Sequence, residues 1–180
     1  MEIQKTPIDG LLLLKPQVAY DPRGYFYESY RKDLFASLGV TEDFVQDNQS
    51  LSQKGILRGL HFQAPPYAQG KLVRVIAGAV LDVVVDIRKA SPTYGQHFSI
   101  TLAAENLLQF WMPPGFAHGF LTLEDNTIFA YKCTNYYNKP AEGGIRWNDP
   151  VLGIDWNVES PLLSEKDTIT PLLKDFDSPF

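Results

Sequence analysis

Residues 71–88 read KLVRVIAGAVLDVVVDIR, and this stretch decides the fold class. Its two arms, residues 71–76 and 80–88, are rich in β-branched side chains, which favour strands. Between them stands Ala77-Gly78-Ala79, where glycine supplies the positive φ of a tight turn. The second arm is largely apolar over residues 81–87, which is typical of a central strand. The stretch therefore predicts a β-hairpin at the centre of a sheet.

Further strand-like segments lie on both sides of the hairpin, and turn residues separate them. They are residues 11–14, 25–30, 44–52, 56–63, 96–102, 107–112, 116–121 and 127–134. One helix is predicted at residues 31–38, with Gly39 as its C-cap, and the chain beyond Pro140 is expected to be irregular. This pattern predicts one mainly β domain over residues 1–180, an antiparallel sandwich or small barrel with few short helices.

The composition is that of an ordinary globular protein with a small negative charge. The net charge of −5 argues against nucleic acid or an anionic membrane surface as a partner. No apolar run approaches the roughly 20 residues that span a bilayer, and the N-terminus does not resemble a signal peptide. Cys133 is the single cysteine, which rules out an intrachain disulfide. We therefore expect a cytoplasmic protein.

The three histidines, His61, His97 and His118, do not form a metal-binding pattern. A metal-binding β-barrel needs two or three ligands at close spacing, such as His-x-His, and no such pair is present. The chain also lacks a Gly-x-Gly-x-x-Gly segment that opens a helix and a phosphate loop. We expect no metal and no nucleotide cofactor, and we interpret His97 as structural.

Residues 55–71, GILRGLHFQAPPYAQGK, combine a potential base with two cations. Arg58 and His61 lie on a predicted strand, and Lys71 begins the next one. Burying a cation is costly unless it meets an anion, so the grouping predicts acid–base chemistry on an anionic ligand. A core histidine that bonds to a backbone carbonyl is the alternative for His61.

Three further features allow two interpretations each. Arg23, in a turn, is either a surface charge or a ligand contact. The amide-rich residues 46–50 form either the solvated face of an edge strand or a set of donors and acceptors for a base or sugar. Tyr131 is either a packed aromatic or a hydroxyl at the rim of a site.

Together these residues closely resemble the dTDP-4-dehydrorhamnose 3,5-epimerase family. The matching motifs run in order through nearly the whole chain. They are Asp21-x-Arg23-Gly24-x-Phe26-x-Glu28, Gln46-Asp47-Asn48-x-Ser50, Gly55-x-Leu57-Arg58-Gly59-Leu60-His61-Phe62-Gln63 with Lys71, Pro114-x-Phe116-Ala117-His118-Gly119-Phe120, Tyr131-Lys132, Glu142-Gly143-Gly144-x-x-Trp147-Asn148-Asp149-Pro150 and Ser164-Glu165-Lys166-Asp167. Such a set is far more specific than any single motif.

The resemblance implies a metal-free jelly roll of the cupin type and a homodimer whose strands pair across the subunit boundary. It also implies a cofactor-independent isomerase of dTDP-L-rhamnose biosynthesis, which serves lipopolysaccharide or cell-wall polysaccharide. The implied substrate is a dTDP-4-ketosugar, dTDP-4-dehydro-6-deoxy-D-glucose. It is epimerised at C3 and C5 to dTDP-4-dehydro-L-rhamnose.

The same resemblance assigns roles to individual residues. His61 is the expected base, with Asp167 as its hydrogen-bonded partner, Lys71 stabilises the enolate, and Tyr131 donates a proton to the opposite face. Arg58 is expected to bind the diphosphate together with Arg23, because guanidinium groups match phosphate oxygens. The other residues expected to bind the nucleotide sugar are Glu28, Gln46, Asp47, Asn48, His118, Glu142 and Lys166.

Three other functions remain open from the sequence. An enzyme that epimerises only C3 or only C5 of a related dTDP-4-ketosugar would share the catalytic residues. A non-catalytic sugar-binding cupin would not need both a base and an acid, His61 and Tyr131. A metal-dependent cupin oxygenase or isomerase would contain bound metal when purified.

Overall fold

The strands predicted for residues 71–88 are present in the computed structural model, which describes residues 1–180. The strands are β1 (Glu2–Lys5), β2 (Leu12–Lys15), β3 (Ala19–Asp21), β4 (Gly24–Phe26), β5 (Gln46–Ser52), β6 (Leu57–Gln63), β7 (Lys71–Ala77), β8 (Ala79–Asp86), β9 (His97–Ala103), β10 (Gln109–Met112), β11 (Phe116–Thr122), β12 (Thr127–Cys133) and β13 (Glu142–Gly144). The helices are α1 (Lys32–Ser37), α2 (Glu165–Thr168) and 3₁₀ turns at Lys139–Ala141 and Leu173–Asp175. None of them has the length and apolar character needed to cross a membrane.

Two antiparallel sheets pack face to face. One has six strands in the order β1-β2-β10-β7-β12-β5, and the other has five in the order β13-β6-β11-β8-β9. A separate two-stranded hairpin consists of β3 and β4. The predicted mainly β sandwich with few short helices is confirmed.

The pairing predicted for the central hairpin is wrong. β7 pairs with β10 and β12, whereas β8 pairs with β11 and β9, so the two strands lie in different sheets. Gly78, at φ +75°, turns the chain from one sheet to the other. Val75 of β7 and Val80 of β8 both enter the core between the sheets. The apolar faces of the two strands are therefore buried by sheet packing rather than side by side in one sheet.

The core between the sheets draws side chains from both. Its buried members are Ile8, Leu11, Leu13, Val73, Val75, Val80, Val84, Leu102, Phe110, Met112, Phe116, Phe120 and Phe129. A second cluster lies on the outer face of the five-stranded sheet, where Ile145, Leu152 and Trp156 of the C-terminal segment pack. The irregular course predicted beyond Pro140 is confirmed except for β13, α2 and the last 3₁₀ turn. This segment covers one sheet and brings α2 against β6.

Some boundaries differ from the prediction. The strand predicted at residues 25–30 ends at Phe26, and β1 and β3 were not predicted. Helix α1 is one residue shorter at each end, since Arg31 and Leu38 are its caps. Gly39 follows at φ +93°, the conformation that favours glycine after a helix.

Asp86 ends β8 and fastens the loop that follows it. Its fully buried carboxylate accepts hydrogen bonds from Arg88 Nη2 at 2.7 Å and from Ser91 Oγ and Thr93 Oγ1, both at 2.6 Å. Burial alone would raise the pKa of Asp86, but the hydrogen bonds outweigh burial and lower the pKa to about 2. The buried charge is thus compensated, and its role is structural.

Candidate active site

A cavity of about 650 Å³ opens between the two sheets. Strands β5, β7 and β12 of the six-stranded sheet contribute to its lining, as do β6, β11 and β13 of the five-stranded sheet. All but three of the predicted site residues line this cavity. They are Gln46, Asn48, Arg58, His61, Lys71, His118, Tyr131, Glu142, Lys166 and Asp167.

His61 and Asp167 form an acid–imidazole pair in this cavity. His61 lies on β6, and its Nε2 is hydrogen-bonded to Oδ1 of Asp167 on α2. The other oxygen of Asp167 accepts a hydrogen bond of 2.7 Å from Ser164 Oγ. Burial alone would raise the pKa of Asp167, but the hydrogen bonds from His61 and Ser164 outweigh it and lower the pKa. Such a carboxylate fixes the imidazole ring and stabilises it after it takes a proton.

Lys71 begins β7 and faces the cavity as an unpaired cation. It takes no part in the cavity's ion pairs, which are His61–Asp167, His118–Asp82 and Lys166–Glu142. Burial lowers the pKa of Lys71, and Cys133 and Asp82 are among the groups that oppose this shift. Because a desolvated, unpaired ammonium group is costly, the cavity favours a ligand on which negative charge is present or develops.

Tyr131 reaches the cavity from the sheet that does not carry His61. It lies on β12 opposite Val73 of β7, two positions along from the pair of Cys133 and Lys71. Burial raises the pKa of Tyr131, so the phenol keeps its proton at neutral pH. A protonated phenol can donate to a carbanion. The candidate base and the candidate acid therefore approach one cavity from different sheets.

Arg58 and His61 are three residues apart on β6, yet both line the cavity. On a regular strand, residues three apart point to opposite faces. Here β6 carries one extra residue relative to β11, which restores the cavity-facing direction. Gly59 permits this bulge because its φ is +130° and because a Cβ there would lie 2.4 Å from Cα of Gly119. The two glycines therefore place the cation and the base on one face.

We expect Gly119→Ala to displace both residues. The new Cβ would lie 2.7 Å from the carbonyl oxygen of Arg58 and 3.1 Å from Cα of Gly59, and these backbone atoms cannot move independently of β6. Overpacking of this kind costs about 1–3 kcal/mol, and catalytic activity should fall with it. Denaturant unfolding and steady-state kinetics measure the two effects. The matched control is Gly153→Ala, where φ is +60° but no atom lies within 4 Å, so activity should be retained.

Tyr137 lines the cavity mouth and was not predicted from the sequence. Its hydroxyl donates to Glu142 Oε2 at 3.1 Å, and its backbone N–H donates to Gln46 Oε1 at 2.9 Å. Glu142 also forms an ion pair with Lys166. The buried amide of Gln63 holds the loop through backbone groups of Tyr67, Tyr136 and Asn138. In the sequence, Tyr136-Tyr137 has no feature that separates it from surface aromatics.

Asp47 does not line this cavity, although its neighbours Gln46 and Asn48 do. Side chains alternate along β5, so Asp47 points to the other face of the sheet. There it forms an ion pair of 3.0 Å with Lys132 on β12. Asp47 therefore does not face the cavity of its own chain, and its contact with the nucleotide sugar stays a prediction.

Arg23 and Glu28 also lie outside the cavity. The Arg23 side chain is 89% exposed and pairs with Asp21 in the β3–β4 hairpin. The Glu28 side chain is 51% exposed and pairs with Arg31. Neither residue lines the cavity of its own chain.

A second acid–imidazole pair joins His118, which lines the cavity, to Asp82, which does not line it and was not predicted as a site residue. His118 Nε2 is 2.9 Å from Oδ2 of Asp82, and Asp82 is fully buried. Burial lowers the pKa of His118, while Asp82 opposes that shift. A charged residue within the apolar run Leu81-Asp82-Val83 was the signal available in the sequence. A buried strand carries an acid only where a partner compensates it.

No three of the His, Cys, Asp and Glu side chains come together in a group able to hold a metal ion. The imidazole rings of His61 and His118 instead have Asp167 and Asp82 as their partners.

Comparison with known proteins identifies the family. Residues 5–175 match the family model described as dTDP-4-dehydrorhamnose 3,5-epimerase. The chain belongs to this family. It is therefore an isomerase of the epimerase type, and the resemblance found in the sequence is confirmed.

Relatives of the family cover the chain almost completely. The dTDP-4-dehydrorhamnose 3,5-epimerase of Salmonella typhimurium is 53% identical over 175 residues, which is 96% of each chain. A crystal structure from Legionella pneumophila, in complex with dTDP-4-keto-L-rhamnose, has a TM-score of 0.94 at 50% identity and covers 98% of this chain and 94% of that one. A 3′-monoepimerase from Streptomyces bikiniensis, in complex with dTDP-quinovose, has a TM-score of 0.88 at 34% identity and covers 94% and 86%. The predicted cupin-like jelly roll is confirmed by these structures.

Proposed function

We propose that this chain epimerises dTDP-4-dehydro-6-deoxy-D-glucose at C3 and C5 to give dTDP-4-dehydro-L-rhamnose, a step of dTDP-L-rhamnose biosynthesis. The observation that carries the proposal is the placement of His61 and Tyr131 on different sheets around one cavity that also holds the unpaired Lys71. The names and ligands of the relatives support the substrate class: the structure from Legionella pneumophila holds dTDP-4-keto-L-rhamnose.

The chemistry needs only side chains of these types. The C4 ketone acidifies the C–H bonds at C3 and C5, because either carbanion delocalises into the carbonyl. His61 bonds Asp167 through Nε2, so Nδ1 is the nitrogen that takes the proton. The electron pair moves onto the C4 oxygen, where the Lys71 ammonium stabilises the enolate. Tyr131 then returns a proton from the other sheet, which inverts the carbon. Exchange with solvent removes the proton from His61 and reprotonates Tyr131 before the second carbon reacts.

The substrate binds, in this proposal, through groups that remain free at the cavity. Arg58 contacts only Ser52 Oγ, at 3.3 and 3.4 Å, so its guanidinium group is available for diphosphate oxygens. His118 and the amides of Gln46 and Asn48 supply hydrogen bonds to the nucleotide sugar. The ion pair of Lys166 and Glu142 lies at the mouth of the cavity. We propose no cofactor, since the ketone is itself the electron sink.

The product spectrum tests this function. Purified chain is incubated with dTDP-4-dehydro-6-deoxy-D-glucose, and the product is read by proton NMR. The proposal predicts the doubly inverted L-sugar. A product inverted only at C3 or only at C5 would instead establish a mono-epimerase, the second candidate, which the likeness to the Streptomyces bikiniensis 3′-monoepimerase favours.

We expect Tyr131→Phe to separate proton abstraction from reprotonation. The variant lacks the donor hydroxyl but keeps His61, so product formation should fall about 100-fold while some solvent deuterium still enters the substrate. NMR in deuterated water follows both quantities in one sample. Tyr94→Phe, on the loop between β8 and β9, is the control and should keep full activity. Unchanged product formation by Tyr131→Phe would remove Tyr131 from the mechanism.

We propose that the chain acts as a homodimer in which the β3–β4 hairpin of each copy reaches the cavity of the other. The hairpin pairs with neither main sheet, and its aromatic residues Tyr20, Tyr25 and Phe26 are 73%, 59% and 72% exposed. Exposed aromatic clusters of this kind are typical of interfaces. A second copy would cover them and would bring Arg23 and Glu28 to a binding site.

Mixed dimers test this arrangement. Arg23→Ala and His61→Asn chains are co-expressed, and each variant is also purified alone. If Arg23 acts on the other copy, one cavity of each mixed dimer has both residues, and about a quarter of all sites regain activity after random pairing. If Arg23 acts within its own chain, the mixture is no more active than the separate variants. Sedimentation velocity of the wild type measures the dimer itself.

We also propose a cytoplasmic location. Cys133 is free and buried, and the chain has no other cysteine, as is common in a reducing compartment. Fractionation of cells that contain the native protein, followed by immunoblotting, checks the compartment.

A further inference from the structure

Asp82 is the feature of the cavity that the mechanism above leaves unexplained. It lies on β8 and is fully buried, with Val80 and Val84, two positions to either side, in the core between the sheets. Its Oδ2 meets His118 Nε2 at 2.9 Å, but its Oδ1 has no hydrogen-bond partner. A buried carboxylate with a free oxygen is costly, so a purely structural role does not account for it.

His118 shows what the carboxylate does. Since Oδ2 of Asp82 accepts a hydrogen bond, Nε2 of His118 must carry the proton. Nδ1 then has a lone pair when the ring is neutral. Nδ1 has no hydrogen-bond partner within the chain, and it is not one of the fully buried polar atoms that lack a partner. His118 lines the cavity, so Nδ1 can meet a ligand there. The lone pair is therefore available at the cavity, where it can accept a hydrogen bond from a hydroxyl of the substrate.

Lys71 is the second group on which Asp82 acts, through its negative charge. The charged and titratable groups that act on Lys71 come from five elements. They are Cys133 of β12, Asp82 of β8, Glu142 of β13, Lys166 of α2 and His118 of β11. Glu142 is already paired with Lys166 at the mouth. Asp82 is hydrogen-bonded to His118, which lines the same cavity as Lys71, so Asp82 supplies from the buried side a negative charge that favours the protonated form of Lys71.

We propose that Asp82 is a positioning residue of the epimerase: it holds His118 as the Nε2–H tautomer with Nδ1 towards the sugar, and it keeps Lys71 protonated for the enolate. The inference rests on the proposed function of the cavity. It gives the site two acid–imidazole pairs with different tasks. The pair of His61 and Asp167 moves the proton, whereas the pair of His118 and Asp82 orients the sugar and maintains the charge of Lys71.

The tautomer is tested in the wild-type protein, without substrate and without a substitution at Asp82. Nitrogen-15 labelling gives signals for only three histidines, which His97→Asn and His118→Asn assign. The expected result at pH 7 is a neutral His118 with its proton on Nε2. A proton on Nδ1, or a doubly protonated ring, overturns the proposal. The readout is independent of turnover, so it stands apart from a failure of the epimerase function.

The effect of Asp82 on the charge of Lys71 is tested with Asp82→Asn. Asparagine keeps the shape of the aspartate side chain and an oxygen that accepts a hydrogen bond from His118. Protonated Lys71 is lost as pH rises through its pKa, and removal of the negative charge lowers that pKa further. The high-pH limb of kcat should therefore move about 1–3 pH units lower, while dTDP binding stays unchanged. Asp82→Glu, which restores the charge, should return the limb towards the wild-type position. An unmoved limb in a folded Asp82→Asn variant overturns the proposal.

Asp86→Asn is the matched control. Asp86 is equally buried on the same strand, but its partners are Arg88, Ser91 and Thr93, away from the cavity. Its substitution should lower the unfolding temperature and leave the pH limb in place. A limb that moves equally in both variants would show a general structural effect and would overturn the specific role of Asp82.

Discussion

His61→Asn should abolish solvent deuterium incorporation at both C3 and C5 of the substrate. Asparagine keeps polarity and much of the volume of histidine but has no basic nitrogen, so the first proton transfer is lost. General-base removal predicts a fall in kcat of about 10³-fold or more, with substrate binding nearly unchanged. Exchange is followed by NMR in deuterated water, and dTDP binding by calorimetry.

His97→Asn is the control for this result. His97 begins β9, does not line the cavity and has no assigned role. The His97→Asn variant should incorporate deuterium and convert substrate at the wild-type rate. If His61→Asn retained exchange at either carbon, a second base would have to act at that carbon, and the single-base mechanism would be wrong.

Lys71→Met should give the second largest loss, and it should do so without a loss of stability. Methionine fills the same space but cannot stabilise an enolate oxygen, so kcat should fall by about 10²–10³-fold. The unpaired cation is costly to the fold because burial disfavours its charge. Removing it should therefore leave the unfolding temperature equal to or above that of the wild type.

Kinetics and thermal unfolding of the same preparation measure these two effects. Lys89→Met, at an exposed ion pair with Asp177, is the control and should change neither quantity. A Lys71→Met variant that is both inactive and unstable would point to a structural role. A variant with wild-type kcat would exclude Lys71 from enolate stabilisation.

Local sequence signals predicted the strands well because they report burial and turn chemistry. The arms of residues 71–88 became β7 and β8, and Gly78 became the turn between them. Their separation into two sheets could not be predicted in the same way. Both arms are apolar, and the choice between pairing side by side and packing face to face depends on β10, β11 and β12, which come later in the chain.

The candidate site was predictable where residue type alone carries the chemistry. His61, Arg58 and Lys71 stood out as a base and two cations near one turn, and the structure places all three at one cavity. Asp82 was missed because it stands in an apolar run that indicates a buried strand, and residue type alone does not show that His118 is its partner. Tyr137 was missed because nothing in its surroundings distinguishes it from a surface residue.

In the proposed homodimer, Arg23 and Glu28 would act on the other copy of the chain. Arg23 and Glu28 are exposed here, and alternation along β5 turns Asp47 away from the cavity. Their roles in binding stay predictions. Sequence motifs record that residues occur together, but they do not record which copy of a protein supplies each one.

The central claim is that one cavity inverts two carbons through enolates of the same ketone. The most direct measurement is incubation of the wild-type protein with dTDP-4-dehydro-6-deoxy-D-glucose in deuterated water, with NMR readout at C3 and C5. We predict deuterium at both carbons together with formation of the L-sugar. Deuterium at only one carbon, or epimerisation without any solvent deuterium, would contradict the claim.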